Sequence, residues 1–544
     1  MSASRRVLCV APRHTHSFGT FDHAFPLVGA RAFMPPQGIL TIAAYLPAEW
    51  EVRFADENIA PLSDADLAWA EVLMTTGMHV QRERIDAIIR RARLAGTLTV
   101  LGGPSVSAAP DWYPEPDIVH LGELGDATDA LIDRLRQSVE PAAAQEVYRT
   151  EERLALDEFP VPAYDQIDLS QYLLASVQWS SGCPYRCEFC DIPSLYGRRV
   201  RLKAPERVTA ELDAMLERGN PGAVYFVDDN FVGNPKAARE LLEALVSWQE
   251  RRGFPVAFCC EATINAAKRP ELLELMREAN FHTIFCGIES PDVEALRGMR
   301  KTQNVSLPVL DAVRTFNSHG LEVVSGIIVG LDTDHPGSYP AILRFIETSQ
   351  IPMLTINVLY ALPRTPLWER LEAAGRIAED RAGRVSNVEF LLPYDTVLHG
   401  WRTLVREAYR PDALYARFRH QMAHTYPNRR NRGVAAQRPS LAQLRRALPV
   451  LSRLLWHVGL RADYRREFWR TARIAWHGGQ IEALISAAIV SHHLICFARE
   501  ALAPGGEASF YSPRAGSELG AVEDLEDVHD PLGRDLVHDQ AGAA

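Results

Sequence analysis

Short apolar runs alternate with helical spacing through the first 125 residues. Residues 6–11 (RVLCVA), 51–55, 71–76, 97–101 and 117–120 are apolar on both faces, as strands buried in a parallel sheet are. Residues 37–46 and 81–94 between them carry helical periodicity. The pattern predicts a Rossmann-like α/β domain over residues 1–140, whose ligands lie at the carboxyl ends of its strands. Turns rich in glycine stand at those ends: Thr76-Gly77, Gly102-Gly103-Pro104 and Gly122-Glu123. Glycine there lets the backbone approach a flat or phosphorylated ligand.

A second series starts near residue 173, within a domain predicted over residues 165–375. Strand-like runs at 175–179, 223–227, 256–261, 283–288, 322–329 and 353–359 alternate with helical stretches at 205–216, 235–251, 270–279, 306–319 and 340–349. Six consecutive βα units with right-handed crossovers predict a partial (β/α)6 barrel. Beyond residue 375 the pattern turns helical and rich in Arg, predicting a helical domain over 376–503. The last segment, 504–544, has few large apolar side chains and reads as disordered.

Charge sharpens these boundaries. The 544 residues sum to −11, but residues 401–503 hold 18 Arg, no Lys and 6 acids, a net of +12. The 504–544 segment carries −7, and residues 1–400 carry −16. So acidic a body argues against a nucleic-acid partner. The Arg-rich segment, interleaved with Trp401, Trp456, Trp469 and Trp476, has two readings: a peripheral contact with an anionic membrane, or a solvated face paired with the acidic remainder. Eight cysteines are too few for a disulfide scaffold in a chain of this length. Together with the lack of a secretory leader, they predict a cytoplasmic protein, meeting the inner face of the membrane if the first reading holds. No spanning helix is expected, because the best stretch, 481–498, contains Glu482, His492 and His493.

The strongest local chemistry is Ser181-Gly182-Cys183-Pro184-Tyr185-Arg186-Cys187-Glu188-Phe189-Cys190, at the end of the first predicted barrel strand. Three soft thiolates spaced CxxxCxxC suit an iron-sulfur cluster with one open iron. A zinc knot is the alternative, although structural zinc takes four protein ligands. The motif, with Phe189 before the last cysteine and a six-stranded barrel behind it, resembles the radical S-adenosylmethionine (SAM) superfamily. That resemblance implies a 4Fe-4S cluster on Cys183, Cys187 and Cys190. It also implies a SAM site that includes Phe189, Asp228 and Asp229 at the second strand end, Glu289 and Ser290 at the fourth, and Gly326 in the fifth. Asp228-Asp229 reads equally as a helix cap before Pro235.

Met34-Pro35-Pro36-Gln37-Gly38 and the glycine turns resemble the cobalamin-binding domain of cobalamin-dependent radical SAM enzymes. Pro36, Gly38, Thr76, Gly77, Gly102, Gly103, Pro104, Gly122 and Glu123 are the residues the resemblance assigns to cobalamin. The D-x-H-x-x-G motif that places a histidine on cobalt is missing, and His14, His16 and His79 are the alternatives. Residues 17–21 (SFGTF), 31–36 (RAFMPP) and 491–495 (SHHLI) resemble the hopanoid C-2 methylase branch. The resemblance implies a methyltransferase acting on an unactivated carbon of a small-molecule or lipid substrate, with an external electron donor. Another substrate, such as a polyketide, peptide or tetrapyrrole, a radical ring rearrangement, and a non-catalytic sensor remain the competing readings.

Overall fold

Two six-stranded parallel sheets carry the fold in a computed structural model that describes residues 4–378, 384–430 and 441–503. The first contains β1 (Arg6–Ala11), β2 (Glu51–Asp56), β3 (Val72–Thr75), β4 (Leu98–Leu101), β5 (Ile118–Leu121) and β6 (Glu146–Arg149), in the order β2-β1-β3-β4-β5-β6. The four-residue β3, β4 and β5 are buried throughout, as the two-faced apolar runs require. β6 was not marked by the hydrophobic pattern. It is an edge strand whose residues alternate between half-buried and exposed, so it carries no continuous apolar run. It also takes the first sheet past residue 140.

The second sheet is the barrel. It contains β7 (Ala175–Val177), then the short antiparallel pair β8 (Ser180–Ser181) and β9 (Arg201–Leu202) that stands apart from it, then β10 (Ala223–Phe226), β11 (Ala257–Glu261), β12 (Phe281–Phe285), β13 (Glu322–Val329) and β14 (Met353–Val358). The six parallel strands run β14-β13-β12-β11-β10-β7 in sequence order, and β7 and β14 do not pair. The partial barrel expected from six βα units is therefore open on one side. β12 lies two residues before the predicted start and stops at Phe285, because the backbone beyond it leaves the ladder. Glu289 sits at a left-handed φ of 66°, and pairing resumes only at an isolated Glu289–Ile327 bridge. Phe226, Phe231, Phe258 and Phe281 pack ring against ring inside, with centroids 5.1–5.7 Å apart. Burying each is worth about 1.5–3 kcal/mol.

Helices cover the open flank. Trp401, on the helix Tyr394–Ala408, is fully buried and donates its indole N–H to the Ile356 carbonyl of β14 at 2.7 Å. Tyr409 donates to the Leu354 carbonyl of the same strand. These bonds occupy edge carbonyls that no further strand pairs with. The helices Pro411–His424, Leu441–Leu454, Arg465–His477 and Ile481–Leu502 complete the C-terminal region. Ile481–Leu502 is long and apolar enough to cross a membrane, contrary to the expectation from its polar residues. Yet 56% of its most apolar stretch is buried within the protein, and His493 and Ser491 are fully enclosed. The acidic segment 504–544 lies outside the described residues.

Replacing Trp401 by Phe keeps most of the volume and strands the Ile356 carbonyl. The expected cost is about 1–3 kcal/mol, read as a lowered thermal unfolding midpoint. An unchanged midpoint would show that the edge bond does not hold the helical region to the barrel.

Candidate active site

The cysteine loop leaves β8 through Gly182, whose φ is 94°. A Cβ there would meet the carbonyls of Arg199 and Gly197 at 2.9 and 3.0 Å, so the loop turns this tightly only with glycine. The loop then folds back on the protein. The Cys183 amide donates to the Gly197 carbonyl, the Cys190 amide to the Cys187 carbonyl, and the Glu188 amide to the Met299 carbonyl. All eight cysteines are free thiols. Burial pushes the Cys183 and Cys190 thiols up, Cys190 strongly, so both sit in a dry environment that favours the thiol until a cation takes the sulfur.

Two groups from the segment after β12 face that loop. Gln303 donates its amide N–H to Cys187 Sγ at 3.2 Å. Lys301 is buried, 2.8 Å from Glu289 Oε1 and 5.4 Å from the centre of the Phe189 ring. Burial works against its ammonium, but the Glu289 carboxylate and the nearby Cys187 outweigh it and hold the pKa above its ordinary value. A fixed cation beside three thiols suits a cluster whose cysteines are thiolates. Gly287 is glycine for the same reason, since a Cβ would fall 2.3 Å from Glu289 Oε1 and 2.7 Å from Lys301 Nζ.

Carboxylates crowd the barrel mouth. Asp228 Oδ1 accepts from the amides of Trp179 and Ser180, and Asp229 Oδ2 accepts from Gly182 at 2.7 Å. Asp228 therefore braces the backbone that leads into the cysteine loop. Neither aspartate caps the helix at Pro235, because Asn234 holds that position. Burial raises Asp228 to about 7 and Asp229 to about 6. Glu261, the last residue of β11, is raised to about 7 by burial, with Asp229 and Glu289 adding to the effect. No motif in the sequence singles out Glu261. Its signal was a lone charge ending an otherwise apolar strand, AFCCE. A pocket that presses these acids together has an unmet need for a cation, which the ammonium and sulfonium of SAM would fill. Gly326 leaves room at this wall, where a Cβ would lie 3.3 Å from Glu289 Oε2. The buried Ser290 hydroxyl accepts from the Asp292 amide within the turn.

The strand ends of the first domain form the opposite wall. Gly103 (φ 90°) lies so close to Thr76 that a Cβ would overlap its hydroxyl, and Gly122 (φ 107°) turns with its amide on Ser107. Gly77 is held to glycine by Ile85 packed 2.8 Å from where a Cβ would stand. Pro104 begins the short helix that follows β4. Gly38 faces open space, and with Pro36 it starts the helix Gln37–Tyr45 beside β7: Ser176 donates to the Pro35 carbonyl. These shallow, glycine-edged ends suit a broad, flat ligand such as a corrin. Of the alternative histidines, His16 pairs with Asp22 and His79 with the Ser105 hydroxyl.

Glu123 behaves differently from the rest of this set. Its carboxylate accepts from Ser181, two residues before Cys183, and pairs with Arg153 and Arg201. It thus ties the first domain to the cysteine loop. Arg201 keeps two buried N–H groups without a partner among the described residues, at the seam between the walls. The segments 17–21, 31–36 and 491–495 also meet: Phe21 stacks on Phe33 and on His493, and Phe18 stacks on Tyr409 and meets Phe497 edge-on.

Comparison with known proteins decides among the readings. Residues 177–346 match the Radical SAM superfamily, and residues 365–504 match a domain of unknown function, DUF4070. The chain is 54% identical to Hopanoid C-2 methylase of Rhodopseudomonas palustris (strain TIE-1) over 512 residues, covering 94% of this chain and 97% of that one. The chain belongs to the hopanoid C-2 methylase family of the radical SAM superfamily. Its fold is that of the cobalamin-dependent S-adenosylmethionine radical enzyme OxsB, solved with aqua-cobalamin and S-adenosylmethionine bound. The TM-score is 0.59 at 16% identity, over 97% of this chain and 83% of that one. It also aligns with TsrM of Kitasatospora setae, a radical S-adenosylmethionine methyltransferase solved with cobalamin and a [4Fe-4S] cluster. There the TM-score is 0.51 at 15% identity, over 76% and 95% of the two chains.

The raised carboxyls give this family member a pH signature. Around pH 6 to 7 Asp228 and Glu261 are in large part protonated and Asp229 partly so, and a bound cation favours their ionised forms. SAM affinity should therefore rise from about pH 6 to about pH 8 and level off above it. Binding near pH 6.5 should release protons, measured by calorimetry in buffers of different ionisation heat. Asp229→Asn should reduce that release. A pH-independent affinity with no proton release would remove the acids from the SAM site.

Proposed function

We propose that the chain is a cobalamin-dependent radical SAM C-methyltransferase that adds a methyl group at C-2 of a hopanoid. The observation that carries this reading is one seam: the cysteine loop and acid-lined mouth of the barrel face the glycine-edged strand ends of the first domain, with Glu123 joining them. The near-full-length relative named for hopanoid C-2 methylation supports the substrate.

An aliphatic ring carbon offers neither an electron pair nor an acidic proton, so polar methyl transfer has no handle on it. A 4Fe-4S cluster, SAM and cobalamin, when bound, supply the electron, the hydrogen-abstracting radical and the methyl group. The residues of this chain position and exclude. Cys183, Cys187 and Cys190 would hold the cluster as thiolates, and Gln303 and Lys301 place a donor and a cation against them. Asp229, Glu261 and Glu289 receive the cationic end of SAM, and Gly326 keeps the fifth strand low beside it. Thr76, Gly77, Gly102, Gly103 and Gly122 keep the opposite wall shallow enough for the corrin. The substrate carbon lies between the walls, where holding both reactants face to face replaces an encounter in solution.

With reconstituted cofactors, SAM, a reductant and a hopanoid unsubstituted at C-2, the chain should yield the 2-methylhopanoid with 5′-deoxyadenosine and S-adenosylhomocysteine. Mass spectrometry of the lipid extract reads the outcome. Cys187→Ala should lose both the cluster absorbance and all three products. Deoxyadenosine without methylated hopanoid would overturn the substrate, and no deoxyadenosine from a fully reconstituted chain would overturn the radical chemistry.

A further inference from the structure

The C-terminal helices carry an apolar surface that the proposed reaction does not use. The helix Arg465–His477 points Arg466, Trp469, Arg470, Arg473, Trp476 and His477 outward, spaced three and four apart as a single stripe. Trp476 is 75% exposed. Beside it the chain widens into a π-helix over Leu455–Arg461, where Trp456 (53%) and Leu460 (58%) also stand in solvent. Between these helices and the start of Ile481–Leu502 lies a pocket of about 390 Å³ walled by Leu451, Leu455, Trp469, Trp476, Ile481 and Leu484. The surface is firm: Trp469 donates its indole N–H to the Gly459 carbonyl at 2.8 Å, and Arg461 lies 5.6 Å from the Trp456 ring centre.

Charge surrounds this apolar ground. Residues 441–485 contain eight Arg, no Lys and three acids. Two of those acids are engaged from outside the segment, Asp463 by Arg499 and Glu467 by Arg419. Arg466 and Arg473 have no ion-pair partner among the described residues. Indole rings at the rim of an apolar floor, with guanidinium groups around them, match the boundary between lipid headgroups and acyl chains.

We infer that this face, built from Leu451–Arg461, Arg465–His477 and the first turns of Ile481–Leu502, docks the protein on the anionic surface of a phospholipid bilayer. The tryptophans and leucines enter the headgroup layer, and the arginines pair with lipid phosphates. The docking stands on this surface alone and not on the substrate assignment. It requires no spanning helix, since the buried part of Ile481–Leu502 stays within the protein.

The test is co-sedimentation of the full chain with phosphatidylcholine vesicles, with and without phosphatidylglycerol, which needs no activity. The chain should pellet with the anionic vesicles and be released by salt. Trp456→Ser with Trp476→Ser, both at exposed positions, should weaken binding by about tenfold or more. Arg466→Gln and Arg473→Gln should each weaken it about fivefold. Circular dichroism should remain unchanged in all of them. Equal binding to neutral vesicles, or no loss in the variants, would overturn the proposal. So would binding only after truncation at residue 503, which would make the acidic 504–544 segment the occupant. Self-association of the full chain that these variants abolish, without vesicle binding, would make a second copy the occupant and overturn it equally.

Discussion

The Glu123 carboxylate is the contact on which the site depends. Each sheet presents its chemistry at the carboxyl ends of its strands, so two such domains make one reaction chamber only if those ends face each other. Glu123 leaves the end of β5 and meets Ser181 at the end of β8, with Arg153 and Arg201 on its other side. From Ser181 the chain reaches the first cysteine in two residues. Any drift of the first domain relative to the barrel therefore has to break a largely buried, multiply bonded carboxylate, and removing one partner from such an arrangement leaves an unpaired charge behind. A second tie crosses the same seam, where the Ser176 hydroxyl of β7 lies 3.0 Å from both the Pro35 carbonyl and the Gln37 side chain.

Behind that seam the barrel stores an electrostatic imbalance. Asp228, Asp229, Glu261 and Glu289 share a dry space with a single ammonium, Lys301, and only Glu289 has it as a direct partner. Burial raises the remaining carboxyls, so each takes up a proton more readily than an ordinary carboxylate does. The left-handed backbone at Glu289 belongs to the same arrangement. It turns the carboxylate toward Lys301 while the Glu289 amide and carbonyl stay bonded to Gly326 and Ile328. A strained residue bonded to β13 through both its amide and its carbonyl is a rigid one, and rigidity is what would hold a bound reactant in register.

Much of this was legible in the sequence. Buried parallel strands announce themselves as apolar runs, and a three-cysteine loop at a strand end has few other uses. The elements that escaped share a physical cause. β6 is a half-exposed edge strand with no apolar run to read, and β8 and β9 are two residues each. Glu261 looked like the polar terminus of a core strand, and its meaning comes from Asp229 and Glu289, which are distant in sequence. Glu123 follows a glycine turn, but which way its side chain points depends on Arg153 and Arg201, and no local pattern encodes that. Asp228 and Asp229 read as a SAM-site pair or as a helix cap, and in the fold each also braces a different part of the path from β7 into the cysteine loop.

The helix Ile481–Leu502 joins features that the sequence left separate. Its first turns line the Trp- and Arg-rich face. About 20 Å further along, at ~1.5 Å per residue, His493 stacks on Phe21 and Phe497 meets Phe18. Those two phenylalanines belong to the loop after β1, whose continuation through Phe33 and Pro35 runs beside β7. One rigid rod thus connects the outer apolar face to the segment that holds the first domain against the barrel. Its mixed character follows from that double duty. A helix that must pack against Tyr415 and Phe18 along most of its length is apolar enough to look like a membrane span, yet Ser491 and His493 are buried in its middle. Lipid offers no partner to such groups, whereas the protein gives His493 the Phe18 carbonyl, so the middle of the helix belongs inside the fold, and its first turns and the Arg499–Glu500 end reach the surface.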